Sequence, residues 1–527
     1  MSEQEQVTLT IEGVEVTVPK GITVLEAAKR AGILIPHYCY HPGLPVAGVC
    51  RMCLVDIEKA PKLQIACATN VAEGQVVHVF SDQAKAARTS VLEFLLINHP
   101  LDCPICDQAG ECELQDYVFQ EGRSNTRYGS YPKRFNPVED FGGDVLYVPN
   151  RCILCTRCVR FMDHVADDSI LNVSERGDRA YIGIHPDRAL DHPWAGNVVD
   201  LCPVGSLLSK DTLHKARAWE LDKTPSVCTA CSQGCNINID SRNGVVVRLR
   251  PRPNEAVNRY FMCDHGRLHY RWMNRGDRIE APLVNRDGEL HATDWDDAFA
   301  EAARLIRGAS GRAVVLTSPN VSNEALFMAK RVLESFEVDG AFRVERIGED
   351  VPLEGVPNLA LRPERAANVA GATALGYDQN FDGAVDALSE AAVAIVLDET
   401  LAGVGAERLQ AAGAVIHLGT ILPEVARAAD VILPCANVAE EDGSIINRDG
   451  RVQRYFQAKP APGMARPAWW ILSELLSELD REDAPRSAEG AFGQLAQQEA
   501  AFDGLTYGTL GLRGRPLTTA AGAEAAT

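Results

Sequence analysis

Fifteen of the chain's sixteen cysteines lie between Cys39 and Cys263, and this clustering constrains the chain more than any other feature. With His99 they divide into four sets of four candidate ligands, numbered here in chain order. The sets are Cys39, Cys50, Cys53 and Cys67; His99, Cys103, Cys106 and Cys112; Cys152, Cys155, Cys158 and Cys202; and Cys228, Cys231, Cys235 and Cys263. Because almost no cysteine is left over, the pattern predicts four metal sites rather than scattered core thiols.

The spacing of the third set favours an iron–sulfur cluster over zinc. Cys152, Cys155 and Cys158 are separated by two residues each, and Cys202 follows in a Cys-Pro step after a gap of 43 residues. Three thiolates around one compact object, closed by a remote Cys-Pro, form the ferredoxin arrangement for a [4Fe-4S] cluster. Zinc ribbons use two separated Cys-x2-Cys knuckles instead. A redox-inactive scaffold with zinc in its sites is the alternative, which iron and sulfide analysis would distinguish.

The residues around the first set predict a β-grasp ferredoxin. Apolar residues alternate over residues 7–11 and 14–18 on either side of a Glu-Gly turn, which is typical of a β-hairpin. Thr23 begins a capping box, and the helix that follows is expected to end at Gly32. Hairpin, helix and then a cysteine loop is the layout of a [2Fe-2S] ferredoxin, although the gaps differ from the plant-type pattern.

The second set needs a ligand other than cysteine, since only three cysteines lie in it. A predicted helix over residues 84–98 leads directly to His99. Its expected apolar face consists of Ala87, Val91, Phe94, Leu95 and Ile97. A lone histidine is usually an ordinary core or surface residue, but His99 lies a short distance before Cys103. A neutral imidazole in place of one thiolate leaves a cluster less negative and raises its reduction potential.

The C-terminal half changes character twice. The fourth set encloses strand patterns at 236–240 and 245–249, which predict a small β-rich domain. Beyond Trp295, helical segments alternate with apolar runs of strand length, which indicates a doubly wound α/β domain. The Ala- and Gly-rich end of the chain predicts a loosely ordered tail.

Composition excludes several classes of protein. The net charge of −20 and the pI near 5.1 argue against a nucleic-acid-binding surface. No apolar run approaches the roughly 18 residues of a membrane span, so membrane association is expected only through partners. The polar start of the chain does not look like a signal peptide, which predicts a reducing compartment and free thiols rather than disulfides.

The succession of these modules resembles the family of the large iron–sulfur subunit (the G subunit) of bacterial NADH:quinone oxidoreductase, respiratory complex I, over about residues 5–475. The late segments 441–447, 450–453 and 462–469 also look like that family. The resemblance implies a [2Fe-2S] cluster in the first set and a [4Fe-4S] cluster in each of the other three. It also implies that the α/β part is similar to molybdopterin oxidoreductases but catalytically empty, so no molybdenum cofactor is expected.

The implied fold is multidomain, α+β followed by α/β. The expected domains are a β-grasp [2Fe-2S] domain at 1–82, a [4Fe-4S] segment with one histidine and three cysteine ligands at 83–140, a ferredoxin-like module at 141–220, a four-cysteine [4Fe-4S] domain of molybdopterin-oxidoreductase type at 221–280, a truncated α/β domain at 281–480 and a tail at 481–527.

The function implied by the resemblance is electron relay within the peripheral arm of the complex, on the cytoplasmic side of the bacterial inner membrane. Electrons from NADH would arrive from an FMN-carrying flavoprotein partner and enter at the first or second set. They would pass to the third set and leave towards a downstream two-cluster iron–sulfur subunit and quinone. The fourth set lies off this line in the family. No catalytic residue is assigned to this chain, and proton translocation belongs to the whole complex.

Two enzyme classes share similar N-terminal cluster modules. A molybdenum enzyme such as a formate dehydrogenase needs a metal-ligating residue in the α/β domain, where the sequence offers only Cys435 after Cys263. That cysteine is expected to be a small buried hydrophobe. An iron-only hydrogenase needs two ferredoxin triples and further cysteines, and the sequence contains a single triple.

Overall fold

The computed structural model describes residues 5–129, 133, 135–481 and 483–518. These residues form two compact units. The first runs to Leu221 and includes Leu353–Pro357, and the second comprises Asp222–Pro352 and continues from Asn358. The first three sets therefore lie in the first unit, and the fourth set lies in the second.

The first unit consists of short strands and helices. Its strands are β1 (Gln6–Ile11), β2 (Val14–Pro19), β3 (Leu54–Ile57), β4 (Gln64–Ile65), β5 (Val76–His78), β6 (Glu139–Gly142), β7 (Val145–Tyr147), β8 (Leu171–Ser174), β9 (Tyr181–Ile184) and β10 (Leu207–Ser209). Its helices are α1 (Val24–Arg30), α2 (Asp82–Leu96), α3 (Glu113–Glu121), α4 (Arg157–His164) and α5 (Asn197–Leu201), with 3₁₀ turns at Pro149–Arg151, Gly177–Arg179 and Ala218–Glu220.

The N-terminal sheet has the strand order β2-β1-β5-β3-β4. The predicted hairpin is confirmed: β1 and β2 are antiparallel, with Ile11 opposite Val14. The predicted cap is confirmed as well, because the Thr23 hydroxyl accepts a hydrogen bond from the Glu26 amide at 3.3 Å. The buried side of α1 packs with the strands into one hydrophobic core that includes Cys53 and Cys67. Two members of the first set are thus fixed by the sheet itself.

The predicted helix after this sheet is present as α2, but the wrong face was expected to be buried. Its buried residues are Ala84, Arg88 and Leu92, whereas Phe94 is 74% exposed. The guanidinium of Arg88 donates to the Val79 carbonyl at 2.8 Å and pairs with Glu121 on α3. A buried arginine with such partners sets the orientation of the helix, which counting apolar residues did not capture.

The rest of the first unit surrounds the third set. The sheet β10-β7-β6 and the antiparallel pair β8-β9 lie here. The long gap before Cys202 contains α4, the β8-β9 pair and α5. Helices α4 and α5 contact each other, so a folded insertion brings the remote cysteine back towards the triple.

The second unit holds the remaining elements. Its strands are β11 (Asp222–Val227), β12 (Asn236–Arg242), β13 (Val245–Pro251), β14 (Leu283–Arg286), β15 (Glu289–Ala292), β16 (Arg312–Thr317), β17 (Glu337–Phe342), β18 (Val351–Pro352), β19 (Ala360–Leu361), β20 (Val393–Leu397), β21 (Val415–Gly419), β22 (Val431–Pro434), β23 (Gly443–Ile446), β24 (Arg451–Tyr455) and β25 (Arg515–Pro516). Its helices are α6 (Asp264–Leu268), α7 (Trp295–Arg307), α8 (Asn323–Val332), α9 (Val369–Ala374), α10 (Phe381–Ala387), α11 (Ala406–Leu409), α12 (Ala468–Glu478), α13 (Ala488–Gln498) and α14 (Tyr507–Leu510), with 3₁₀ turns at His269–Asn274, Leu388–Glu390, Val425–Ala428 and Ala500–Phe502.

The β-rich part around the fourth set is an antiparallel sheet, β11-β12-β13. Both predicted strands are present, as β12 and β13. They are joined at Asn243 and Gly244, whose φ angles are +51° and +77°. Positive φ at two successive residues is the requirement of a tight hairpin turn, and an Asn-Gly pair meets it with little strain.

The predicted doubly wound α/β domain is confirmed. The sheet order is β15-β14-β22-β21-β20-β16-β17, and the strands from β22 to β17 are parallel. Each residue of β20 and β21 is buried, as expected for strands covered on both faces. Separate hydrophobic clusters on the sheet include residues of α7, α8 and α12 in one and of α10 in the other.

The prediction of a loosely ordered tail over 481–527 is wrong for the residues described there. Helices α13 and α14 are present, and β25 pairs with β24. Phe492, Phe502 and Tyr507 form a buried aromatic group, and the Tyr507 hydroxyl donates to Glu324 at 2.8 Å. These long-range partners order a segment whose composition alone suggested little structure; residues 519–527 lie outside the described residues. Within the described part of the chain, none of the helices has the length and apolar character that crossing a membrane requires.

Candidate metal centres

The four cysteines of the first set lie together in the loop beside the β-grasp sheet. The Cys39 amide donates to the sulfur of Cys50 at 3.4 Å. The Cys39 thiol contacts the thiols of Cys50 and Cys67, and Cys53 also contacts Cys67. Hydrogen bonds from these neighbouring thiols lower the pKa of Cys39 and of Cys53, which favours the thiolate form that binds metal.

The second set surrounds a neutral histidine. Burial lowers the pKa of His99 to about 4, with smaller effects of Lys133 and Arg151. Its Nδ1 atom is buried and has no hydrogen-bond partner among the described residues. Burial raises the pKa of the Cys112 thiol to about 11, with a contribution from Cys106 and Cys103. A neutral imidazole with a free ring nitrogen has the chemistry of a metal ligand.

Close packing around Cys106 leads to a prediction at Gly205. A Cβ added to Gly205 would lie 2.2 Å from the sulfur of Cys106. We expect Gly205→Ala to displace that sulfur and to reduce or abolish one [4Fe-4S] signal, since overpacking a tight site costs about 1–3 kcal/mol. Low-temperature EPR and iron content measure the effect. Gly276→Ala is the control, because a Cβ there meets nothing within 4 Å; full iron content and unchanged signals in the Gly205 variant would contradict the prediction.

The third set lines one cavity. All four of its cysteines border an empty volume of about 320 Å³, together with Tyr147, Ile153, Thr156, Arg157, Ile182, Val204, Ser206 and Leu207. The Leu154 amide donates to the sulfur of Cys152 at 3.4 Å. Leu154 and Thr156 have φ angles of +52° and +59°. Left-handed backbone at two non-glycine residues is costly and collects at functional sites, where it turns amide groups towards bound anions.

The fourth set is buried beside the β11-β12-β13 sheet. The Cys228 amide donates to the Cys235 carbonyl at 2.8 Å, and the Gly266 amide donates to the sulfur of Cys263 at 3.3 Å. Burial raises the pKa of the Cys235 thiol, and Cys228, Cys231 and Cys263 add to the effect, so the four sulfurs lie within electrostatic range. Among the described residues, no three His, Cys, Asp or Glu side chains have the arrangement of a single-ion site. Which atoms ligate metal therefore stays a prediction for all four sets.

Two arginines near the third set were not predicted to have a role. Arg157 and Arg160 lie on α4 and are buried. They bond to backbone oxygens of the first and third sets. The available signal was their spacing of three residues around Cys158, which places both on one side of a helix.

The remaining cysteine, Cys435, lies in a second cavity inside the α/β unit. This cavity has an empty volume of about 480 Å³ and is lined by Thr229, Trp272, Asn320, Val321, Leu397, Asp398, Leu418, Cys435, Ala436, Asn437, Val438, Glu441 and Ala468. Cys435 is 2% exposed, and burial raises the pKa of its thiol, with Asp398 and Glu441 adding to the effect. Cys435 is thus a protonated, buried thiol at neutral pH, as expected from the sequence.

Glu441 in this cavity makes stability depend on pH. Burial raises its pKa to about 8, and the Tyr455 hydroxyl donates to one of its oxygens at 2.7 Å. An unfolded glutamate ionises near pH 4.3, so stability is full below that pH and is lost as the pH rises towards 8. We expect Glu441→Gln to raise Tm relative to the native chain at pH 8.5, by about 2–4 °C per kcal/mol, and to have less effect at pH 5. Thermal unfolding measures it, with exposed Glu345→Gln as control; an equal shift at both pH values would contradict the assignment.

Family models match the chain in the order predicted. They are a 2Fe-2S iron-sulfur cluster binding domain (4–81), the NADH-ubiquinone oxidoreductase-G iron-sulfur binding region (88–127), the ferredoxin-like domain of NADH-quinone oxidoreductase subunit 3 (142–208), the molybdopterin oxidoreductase Fe4S4 domain (221–275) and molybdopterin oxidoreductase (364–478). Each of the four sets falls inside one of the first four matches, which supports the predicted succession of domains.

Curated relatives carry one name. The G subunit of NADH-quinone oxidoreductase from Rickettsia bellii is 40% identical over 327 residues, which are 62% of this chain and 48% of that protein. The G subunits from Streptomyces coelicolor and Mycobacterium tuberculosis are 37% and 39% identical, over 66% and 62% of this chain and 42% and 41% of theirs. The chain thus matches less than half the length of these relatives.

Among solved structures, a chain of an NAD⁺-reducing [NiFe]-hydrogenase in the H₂-reduced state is 30% identical. The match covers 40% of this chain and 90% of the other, with a TM-score of 0.36. The relatives that share the name and the ordered iron–sulfur modules identify this chain as a homologue of the G subunit of NADH-quinone oxidoreductase over 62% of its length.

Proposed function

We propose that this chain is an iron–sulfur electron-transfer subunit in the peripheral arm of NADH:quinone oxidoreductase. It would hold a [2Fe-2S] cluster in the first set and a [4Fe-4S] cluster in each of the second, third and fourth sets. The observation that carries the proposal is the cavity bordered by all four cysteines of the third set. When bound, such clusters supply one-electron carriers with potentials set by ligands, hydrogen bonds and burial.

The chain's own residues fit clusters better than disulfides. All sixteen cysteines are free. Amides of Cys39, Leu154 and Gly266 point at thiol sulfurs in three different sets. Hydrogen bonds of this kind stabilise negative sulfur and tune its potential. The protein's task would therefore be to hold thiolates in buried loops, supply them with donors and exclude water.

The three sets of the first unit lie against one another, which supports a relay. The Glu113 amide, next to Cys112, donates to the Pro203 carbonyl, next to Cys202, at 3.0 Å. Arg160 donates to the carbonyls of both Cys39 and Cys155. The chain would accept electrons that originate from NADH at the FMN of a partner flavoprotein and deliver them towards quinone through a two-cluster iron–sulfur partner. Its place on the membrane would come through these partners, on the cytoplasmic side.

The α/β domain is proposed to be catalytically empty. Its cavity is bordered by the acids Asp398 and Glu441, and neither lysine nor arginine is among its lining residues. A pterin cofactor carries phosphate, whose binding favours cationic side chains or helix N-termini. The buried, protonated Cys435 thiol is also a poor metal ligand. These features disfavour a molybdenum enzyme.

A complementation experiment tests the proposed function. Membranes of the source organism that lack this chain should lose NADH:quinone reductase activity. The native chain should restore it, and a Cys155→Ser variant, altered in the third set, should not. Activity that persists without the chain, or that returns fully with the variant, would show that the chain carries no electrons in the complex.

A further inference from the structure

Arg157 and Arg160 occupy the space between the candidate metal loops of the first unit. Both belong to α4, which begins directly after Thr156 in the third set. Their exposed fractions are 4% and 8%. Burying two guanidinium groups this close to each other is unfavourable unless negative charge or many acceptors surround them.

Arg160 bonds to both the first and the third set. Its guanidinium donates to the carbonyls of Cys39 and Pro45 in the first cysteine loop, and to the carbonyl of Cys155 at 3.2 Å in the third. Its Nε atom donates to the Thr156 hydroxyl at 3.3 Å. All of these acceptors are neutral oxygens. The positive charge of Arg160, which persists at any physiological pH, is therefore not balanced by any of these partners.

Arg157 differs because a carboxylate balances it. It donates to both oxygens of Glu113, at 3.0 and 3.2 Å. It also donates to the Tyr40 carbonyl at 2.9 Å and the Leu201 carbonyl at 3.2 Å. These carbonyls flank Cys39 and Cys202, while Glu113 follows Cys112. Arg157 thus joins all three sets of the unit through one guanidinium, with its charge paired.

We infer that Arg160 is the shared counter-charge of the first and third sets, and that Arg157 with Glu113 is a neutral clamp that positions the three loops. The inference rests on the proposed function, since the negative charge that Arg160 lacks would come from clusters ligated by thiolates. Each such cluster becomes more negative on reduction. A buried cation beside it stabilises the reduced form more than the oxidised form and raises the reduction potential.

The inference predicts opposite effects for two substitutions. Arg160→Gln removes the unbalanced cation and should lower the midpoint potentials of two centres, the [2Fe-2S] centre and one [4Fe-4S] centre. The expected change is about tenfold in the ratio of reduced to oxidised form at a fixed potential, which is about 59 mV for a one-electron couple. Glu113→Gln leaves Arg157 without its carboxylate and should raise the midpoint of at least one [4Fe-4S] centre. A merely structural role would not reverse the sign.

EPR-monitored redox titration of the purified full-length chain with its clusters measures these midpoints. Arg160→Lys keeps the charge, so its midpoints should lie closer to the native values than to those of Arg160→Gln. Arg331→Gln is the control, because Arg331 is also buried but pairs with Asp483 in the other unit. It should leave the midpoints of the [2Fe-2S] centre and its neighbour unchanged.

Lowered midpoints in Arg160→Gln together with a raised midpoint in Glu113→Gln support the inference. Unchanged midpoints in Arg160→Gln, or shifts of the same sign in both variants, overturn it. Should Arg160→Gln fail to assemble clusters, Glu113→Gln decides: a raised midpoint supports the inference and an unchanged one overturns it. A native chain without clusters would instead overturn the proposed function.

Discussion

Replacing Cys202 by serine is expected to remove one [4Fe-4S] cluster. Cys202 borders the same cavity as Cys152, Cys155 and Cys158 and would close their site from a distant position in the sequence. A hydroxyl is a poorer ligand than a thiolate for iron in such clusters. Iron and acid-labile sulfide should each fall by about four atoms per chain. In the assembled complex, NADH:quinone reductase activity should fall by at least about 100-fold, since changes one shell further out already cost 10–100-fold.

The matched control is Cys435→Ser. Cys435 is equally buried, at 2% exposure, but belongs to none of the four sets. This variant should keep full iron and sulfide, even if its thermal stability drops. A Cys202 variant with native iron content and an unchanged EPR spectrum would remove this cysteine from the proposed ligands, while loss of iron in the control would show that the assay reports general unfolding.

Replacing His99 by cysteine is expected to keep a cluster but lower its reduction potential. The buried, neutral imidazole would give way to a thiolate, which adds a negative charge to the site. The drop should be on the order of 100 mV, judging from the higher potentials of clusters with histidine ligands. One of the [4Fe-4S] midpoints should move while iron content stays unchanged. Redox titration followed by EPR measures this shift.

His417→Gln serves as the control for His99. His417 is 1% exposed, and its Nδ1 atom is likewise buried without a hydrogen-bond partner among the described residues. It lies in the α/β sheet rather than in a cysteine set, so its replacement should leave every midpoint unchanged. If the His99 variant also has native midpoints, His99 is an ordinary buried histidine.

Local signals predicted much of the fold. The hairpin before Thr23, the caps at Thr23 and Ser322 and the apolar strands of the α/β sheet are each encoded by residues close in sequence. They were therefore predictable from spacing alone. The ordered C-terminal segment was not, because its order depends on partners such as Glu324 that are far away in the chain.

The candidate sites show the same division. Cysteine spacing predicted which thiols gather around one cavity in the third set. It did not reveal that Arg160 reaches from α4 to the Cys39 carbonyl, a separation of 121 residues in the chain. The face of α2 was also missed, because Arg88 is buried there by an ion pair with Glu121 that apolar periodicity cannot register. Long-range polar contacts are the part of the structure that residue patterns leave open.

Low-temperature EPR of the reduced full-length chain, combined with metal and sulfide analysis, tests the central claim most directly. Four sets of ligands that hold clusters predict four distinct signals, one of [2Fe-2S] type and three of [4Fe-4S] type, with acid-labile sulfide present. Zinc in the sites without sulfide, and a protein silent in EPR after reduction, would contradict the account.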